Sequence, residues 1–127
     1  MHKVGLIGGT FDRFHLGHKK LINDALLKCM KLEIWIISDE IAKKNNPATN
    51  SWIIRRDEII DNLDYEQIEK IKFGILNDNH GPAPTHIEAT AIICSSETIK
   101  ICLEINEIRL KNSLKKLEII EIGHVKA

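Results

Sequence analysis

The sequence predicts an α/β protein with a five-stranded parallel sheet and helices on both faces of that sheet. Short apolar runs, rich in β-branched residues, alternate along the 127-residue chain with segments of helical periodicity. Alternation of this kind is typical of right-handed crossover units, which place successive strands parallel to one another. A chain of this length builds one hydrophobic core, so we expect a single domain over residues 1–127.

The first half of the chain supplies two of the predicted strands. The apolar run 4–8 stops at glycine, and apolar residues near helical spacing follow over 16–30. Residues 32–38 are almost uninterruptedly apolar, which indicates a strand that is buried on both faces. The polar stretch 39–51 is predicted to be a loop, and 52–63 is predicted to be a helix.

The second half supplies the other three strands. Residues 68–75 read as a strand, and the Pro- and Gly-containing stretch 76–85 reads as a long loop with a functional role. A short buried strand over 91–94, a helix over 97–112 and a final strand over 117–122 complete the series. Because such sheets bind ligands at the carboxyl ends of their strands, the loops that follow the strands are expected to share one rim.

Charge and cysteine content narrow the class of function. The 18 basic residues balance the 18 acidic residues, so a nucleic-acid partner is not suggested. The cysteines, Cys29, Cys94 and Cys102, lack CxxC spacing and suit a reducing compartment. No apolar run is long enough to span a bilayer, and the glycine-rich turn comes too early to leave room for a signal peptide. We therefore expect a cytoplasmic protein without a membrane partner; its oligomeric state stays open, a homo-oligomer included.

The turn after the first strand carries the residues that point to chemistry. The pair Gly8-Gly9 precedes Thr10, and His15 and His18 open the first helix with Gly17 between them. Glycines let backbone amides approach a phosphate, and a helix N-terminus adds free N–H donors and a partial positive charge. Residues three apart share one helix face, so both imidazole rings can point at one phosphate. The sequence predicts a polyphosphate site at this turn.

Other phosphate-binding and metal-binding patterns fit this turn less well. No Gly-Lys-Ser/Thr follows the glycines, as a Walker A loop requires, and the dinucleotide fingerprint GxGxxG is absent. The surrounding residues supply no third zinc ligand at ordinary spacing, so no protein metal site is predicted. Phosphoryl and nucleotidyl transfer depend mainly on in-line placement and charge stabilisation, for which imidazoles, a hydroxyl and a lysine suffice.

The string GGTFDRFHLGH resembles the signature of the HxGH nucleotidyltransferase superfamily, whose fold is a Rossmann-like α/β sheet. Nearly the whole chain resembles one branch, the archaeal and eukaryotic type of phosphopantetheine adenylyltransferase. The matching segments are Ser38-Asp39-Glu40 with Lys43-Lys44, either Arg55 or Arg56, the set Leu76, Asp78, Gly81 and Pro82, the segment 95–98, and the segment 105–109 that ends in Arg109. Members usually continue into an Ile-Ser-Ser-Thr-Arg-Ile-Arg stretch that helps to bind the ATP phosphates, whereas this sequence stops at Ala127.

The resemblance implies a role for each matched residue. Thr10 and His18 would lie at the ATP α-phosphate, where His18 stabilises the transition state and Thr10 orients the attacking acceptor phosphate. His15 would hold the ATP phosphates, and Lys44 would neutralise charge as pyrophosphate departs. Mg²⁺ would be bound through the ATP phosphates. The implied nucleotide-binding residues are Gly8, Gly9, Thr10, Phe11, His15, Gly17, His18, Ser96, Glu97, Thr98 and Arg109. The implied substrate-binding residues are Thr10, Asp39, Lys44, Arg56 and Asp78.

The predicted function is therefore adenylyl transfer from ATP to 4′-phosphopantetheine, which makes dephospho-coenzyme A and pyrophosphate in coenzyme A biosynthesis. Two alternatives stay open at this point. The same chemistry could serve another phosphate-bearing acceptor, as in cytidylyltransferases or FAD synthetases. The chain could also be a catalytically weak nucleotide-binding module that lacks the Ser-Ser-Thr-Arg segment.

Overall fold

The fold is known from a computed structural model that describes residues 1–123. The strands are β1 (His2–Gly9), β2 (Cys29–Ile37), β3 (Ile71–Leu76), β4 (Ala91–Cys94) and β5 (Glu118–Glu121). The helices are α1 (Leu16–Lys28), α2 (Asp39–Asn45), α3 (Trp52–Asp61), α4 (Tyr65–Glu69) and α5 (Ile99–Lys111), and a single 3-10 turn covers Ser96–Thr98. All five strands pair in parallel in the order β3-β2-β1-β4-β5, which confirms the predicted sheet.

Helices cover both faces of the sheet, as the alternation of elements predicted. Successive strand residues point to opposite faces, so Ile7 and Ile93 enter a buried cluster with Ile22 of α1, while Leu6 enters a second cluster with Ile105 of α5. Strand β2 pairs with both β1 and β3 and is central to the sheet. Leu32, Ile34 and Ile36 are fully buried, and the residues that alternate with them, Glu33, Trp35 and Ile37, are partly buried, as expected for a strand with covered faces.

Two predicted boundaries were wrong, and helix capping explains both. The stretch predicted as a loop begins with α2, because the Ser38 hydroxyl accepts the Ile41 amide and two acidic residues occupy the first turn. The strand predicted from residue 68 begins later, because Asp64 and Gln67 form a capping box that starts α4. Both helices are short and mostly polar, so apolar periodicity did not indicate them.

The crossover from β3 to β4 contains no helix, as its prolines predicted. Gly81 turns this loop with φ +55°, a left-handed conformation in which a side chain would also approach Leu76 to 2.5 Å. On the other side of β1, the chain passes to β4 and then β5. Strand order thus reverses between β1 and β4, and open parallel sheets bind ligands at such a switch point.

The three cysteines are free and buried in the core. Within residues 1–123, no helix is long and apolar enough to cross a bilayer.

Candidate active site

The turn between β1 and α1 adopts an unusual backbone conformation. Phe11 and Arg13 have φ values of 53° and 49°, in the left-handed region that residues with bulky side chains rarely adopt. Gly8 and Gly9 are the last residues of β1 and precede this turn. Gly9 is needed for space, because a Cβ there would lie 2.9 Å from the ring of Phe11. Strained backbone of this kind is often concentrated at functional sites.

The two histidines are brought together as the sequence predicted. His15 caps α1, and its Nδ1 accepts the Gly17 amide at 3.0 Å. The Nδ1 atom of His18 accepts the His15 amide at 3.4 Å, which completes a capping box. The rings stack with centroids 3.8 Å apart and planes 21° from parallel. Because each Nδ1 is an acceptor, each neutral ring carries its proton on Nε2 and offers that N–H to a ligand.

His18 is held in its neutral form by its surroundings. Burial lowers the pKa of His18 from 6.5 to about 4; the neighbouring His15 lowers it as well, and Asp12 opposes the shift. The rings of Phe11 and Phe14 lie 5.3 and 5.5 Å from the His18 ring and contribute to its burial. At neutral pH, His18 is thus a hydrogen-bond donor rather than a cation.

A cleft of about 450 Å³ opens beside this turn, at the carboxyl ends of β1, β4 and β5. A volume of this order suits a small-molecule ligand. Of the predicted nucleotide-binding residues, the cleft is lined by Gly8, Gly9, Thr10, Phe11, His15, Gly17, His18, Glu97 and Thr98. The N-terminus of α1 lies at its wall, which favours an anion there.

The other residues that line the cleft were not among the predicted nucleotide-binding residues; they are Asp12, Leu21, Ile37, Ile93, Cys94, Ser95, Ile122 and Gly123. Of the matched segment 95–98, Ser95 lines the cleft and the predicted Ser96 does not. Ile122 and Gly123, which follow β5, also line it. The signal for both is topological: β5 neighbours β4, so its carboxyl end shares the same rim.

A second, largely apolar cavity of about 150 Å³ lies on the α5 side of the sheet. Its lining includes Trp35, Leu76 and Ile105. The two cavities meet, since both are lined by Gly8, Gly9, Ile37, Ile93, Cys94 and Thr98. Together they offer a polar compartment beside the histidines and an apolar one next to it.

The polar rim of the second cavity comes from the loop after β3. Asp78, predicted as a substrate-binding residue, lines this cavity, and its carboxylate accepts the amides of Gly81 at 2.6 Å and His80 at 3.1 Å. His80 also lines the cavity, and its Nε2 lies 3.2 Å from the Glu104 carboxylate. The loop after β3, which was predicted to be functional, therefore borders the apolar cavity.

The prediction that Arg109 binds the nucleotide was wrong. Arg109 is 2% exposed, and its guanidinium donates to the carbonyls of Ala83, His86 and Lys115. Burial lowers the pKa of the Arg109 guanidinium. The side chain lines neither of the two cavities. Its bonds to the carbonyls of Ala83 and His86 anchor the loop after β3.

Of the two neighbouring arginines, Arg55 and not Arg56 contacts the turn between β1 and α1. Arg55 is fully buried and donates to the Thr10 carbonyl at 2.9 Å and to Asp39 at 3.1 Å. Arg56 pairs with Asp57 and lies over the Trp52 ring at 5.6 Å, outside both cavities. The predicted substrate contact of Arg56 is corrected accordingly.

Asp39 and Lys44 lie on α2, outside the lining of the two cavities. Asp39 accepts the Trp52 amide at 2.7 Å in addition to the Arg55 guanidinium, so it joins α2 to α3 rather than facing a ligand. Lys44 is exposed in the last turn of α2, and its predicted contact with the phosphates stays a prediction.

An open parallel sheet whose histidine-bearing first turn faces a cleft at the switch point defines a Rossmann-like nucleotide-binding protein. A family model described as cytidylyltransferase-like matches residues 6–121. The chain belongs to this nucleotidyltransferase family, as the resemblance predicted.

Individual relatives agree with this placement. A phosphopantetheine adenylyltransferase of Methanosarcina acetivorans is 37% identical over an alignment that covers 100% of this chain and 82% of that protein. A bifunctional phosphopantetheine adenylyltransferase/NTP phosphatase of Thermoplasma acidophilum is 34% identical; the alignment covers 98% of this chain but 38% of that longer protein. A crystal structure of a protein of unknown function from Archaeoglobus fulgidus shares the fold, with a TM-score of 0.78, 23% identity, and coverage of 98% of this chain and 99% of that chain.

Proposed function

We propose that the protein transfers an adenylyl group from ATP to 4′-phosphopantetheine, which yields dephospho-coenzyme A and pyrophosphate. The observation that carries this proposal is the pair of stacked imidazoles at the N-terminus of α1, beside a cleft that continues into an apolar cavity. The names of the relatives support the choice of nucleotide and acceptor.

The histidines act in this proposal by stabilising charge. An oxygen of the acceptor phosphate attacks the α-phosphorus of ATP, and the bond from that phosphorus to the oxygen bridging to the β-phosphate breaks. Negative charge on the α-phosphate oxygens grows as the transition state forms. The Nε2–H groups of His18 and His15 are fixed in advance as donors toward that charge, so they need no reorganisation during the reaction.

The arrangement of the two cavities favours an acceptor with an apolar arm. Pantetheine carries geminal methyl groups next to its phosphate, and the second cavity is lined by Trp35, Leu76 and Ile105. Because Gly8 and Gly9 line both cavities, an acceptor in the second cavity has its phosphate beside the Thr10 hydroxyl and the nucleotide cleft. This adjacency supports in-line attack.

Charge on the departing pyrophosphate needs a cation. Lys44 is the proposed donor, because its exposed side chain on α2 can swing toward a bound triphosphate. Mg²⁺ takes oxygen ligands and keeps several waters, and the cleft offers the Glu97 carboxylate and the Thr98 hydroxyl. Phosphate oxygens, aided by these residues, would hold Mg²⁺, and the ion would neutralise phosphate charge. The free cysteines support a reducing cytoplasm as the place of this reaction.

Pyrophosphate release across a panel of substrates tests the proposal. ATP and CTP are each combined with 4′-phosphopantetheine, glycerol 3-phosphate and FMN in the presence of Mg²⁺. We expect release with ATP and phosphopantetheine, with dephospho-coenzyme A as the product by mass spectrometry. Preference for CTP or for another acceptor would replace the proposed substrates, and no release with any pair would indicate a nucleotide-binding module.

A further inference from the structure

Residues 48–58, which extend into α3, form four hydrogen bonds with the turn between β1 and α1. Arg55 donates to the Thr10 carbonyl at 2.9 Å, and the Asn50 amide donates to Asp12 at 3.1 Å. The Arg13 guanidinium donates to the Ala48 carbonyl at 3.1 Å, and the Phe14 amide donates to Glu58 at 2.9 Å. Every residue of the turn from Thr10 to Phe14 except Phe11 therefore has a hydrogen bond to one short stretch of chain.

Arg55 is the central member of this set. Its side chain is fully buried, and each of its three nitrogens donates to a different acceptor. The acceptors are the carbonyls of Thr10 and Asn50 at 2.9 Å each and the carboxylate of Asp39 at 3.1 Å. A planar guanidinium fixes the directions of its N–H groups, so the three acceptors are held in one geometry. Arg55 thus joins the Thr10 turn to α2, the helix that carries Lys44.

The Thr10 turn needs such support. Phe11 follows Thr10 with a φ of 53°, and conformations of this kind cost free energy that the surrounding structure must supply. Neither Phe11 nor Arg13 is a residue type that favours the left-handed region. The turn's own sequence therefore does not stabilise its backbone conformation, and bonds from other segments must do so.

We propose that Arg55 is a positioning residue for nucleotidyl transfer, which acts by fixing the Thr10 carbonyl and α2 in one rigid geometry. The inference rests on the proposed function and adds a residue that touches neither cavity. It explains why a fully buried charge is retained at this position, where an apolar side chain would avoid the cost of desolvation.

The Arg55→Lys variant separates charge from geometry. A lysine keeps the positive charge but has one nitrogen, which cannot reach three acceptors in the directions of the guanidinium. Misplacement of a reacting group by about 1 Å can lower turnover about 100-fold. We therefore expect kcat for pyrophosphate release to fall by about 100-fold while the KM for ATP changes by less than about threefold.

A double-mutant cycle with Thr10→Ala distinguishes positioning from loss of stability. If Arg55 acts through Thr10, then Arg55→Lys lowers kcat by less than about threefold once the Thr10 hydroxyl is absent. Asn106→Ala is the matched control: Asn106 is buried and bonds both backbone groups of Leu117, at the amino end of β5 and the opposite edge of the sheet. This control should lower the melting temperature and leave kcat within about twofold of the parent.

The outcomes are distinct. Folded Arg55→Lys protein with parental kcat, or with the same loss in the Thr10→Ala background, overturns the inference. If Arg55→Lys does not fold, Asp39→Asn decides in the same cycle, because it weakens the charge-assisted bond to Arg55 and retains an acceptor oxygen. Parental kcat in Asp39→Asn then overturns the inference. A parent that releases no pyrophosphate contradicts the proposed function itself.

Discussion

Replacement of His18 by alanine should abolish most turnover without unfolding the protein. The substitution removes one preorganised Nε2–H donor from the site where charge develops. Loss of a single donor of this kind typically costs about 100- to 1,000-fold in kcat, or about 3–4 kcal/mol of transition-state stabilisation. His15 and the N-terminus of α1 remain to bind the triphosphate, so the dissociation constant for ATP should change much less than kcat.

Stability should be largely retained in this variant. The bond that His18 accepts from the His15 amide is long, at 3.4 Å, and contributes little. The stronger cap, from the Gly17 amide to His15 at 3.0 Å, does not involve the His18 ring. A melting curve should therefore show folded protein at the assay temperature.

The assay is steady-state pyrophosphate release, with ATP binding measured separately by calorimetry. His2→Ala is the matched control, because His2 lies at the amino end of β1, the end of the strand away from the turn that carries His18, and bonds Thr90 and Glu118. His2→Ala should keep parental kcat. Equal kcat in His18→Ala and the parent would refute the assigned role, and an equal loss in the His2 control would attribute the effect to general destabilisation.

Three further predictions concern stability, the leaving group and the acceptor. Because the folded-state pKa of His18 is about 4 against 6.5 for a free histidine, its stabilising contribution is complete above about pH 6.5 and is lost as the pH falls toward 4. Urea titrations should show a steeper fall in the free energy of unfolding for the parent than for His18→Ala, and parallel curves would contradict this. Lys44→Ala should lower kcat by about tenfold or more and weaken ATP binding less, since charge on pyrophosphate grows as it leaves; unchanged kcat would move the role to another residue. Ala83→Leu should partly fill the apolar cavity and raise the KM for phosphopantetheine while the KM for ATP stays within about twofold. An unchanged acceptor KM would place the pantetheine arm elsewhere.

The sheet could be predicted from sequence because its strands are apolar runs that end at turns. Helix α2 could not be recognised by apolar periodicity, because only one of its residues, Ala42, is buried and a single residue gives no repeating pattern. Its signal was the cap at Ser38 followed by Asp39 and Glu40. Local capping chemistry thus held information that the hydrophobic pattern lacked.

The orientation of α5 about its axis explains why Arg109 is buried and does not reach the cleft. Leu103 and Leu110 are apolar, yet they are 54% and 53% exposed. The buried residues are Cys102, Ile105, Asn106 and Arg109, which follow the spacing i, i+3, i+4, i+7. Arg109 lies on the same buried face as Cys102, which comes seven residues earlier in the chain. This spacing in the sequence indicated that Arg109 would be buried.

The backbone of the catalytic turn could not be predicted locally. Nothing in the identities of Phe11 and Arg13 favours a left-handed conformation, and the bonds that hold the turn come from residues 48–58. The histidine pair could be predicted, because its spacing alone places both rings on one face of a helix.

The central claim is that two neutral imidazoles present Nε2–H donors to a triphosphate. Nitrogen NMR of the histidine rings, with and without Mg²⁺ and ATP at neutral pH, measures this directly, because it reports the tautomer and charge of each ring. We predict that His15 and His18 are both neutral with the proton on Nε2, and that the Nε2 signals of both shift when ATP binds. A protonated ring, a proton on Nδ1, or signals that ATP leaves unchanged would contradict the account.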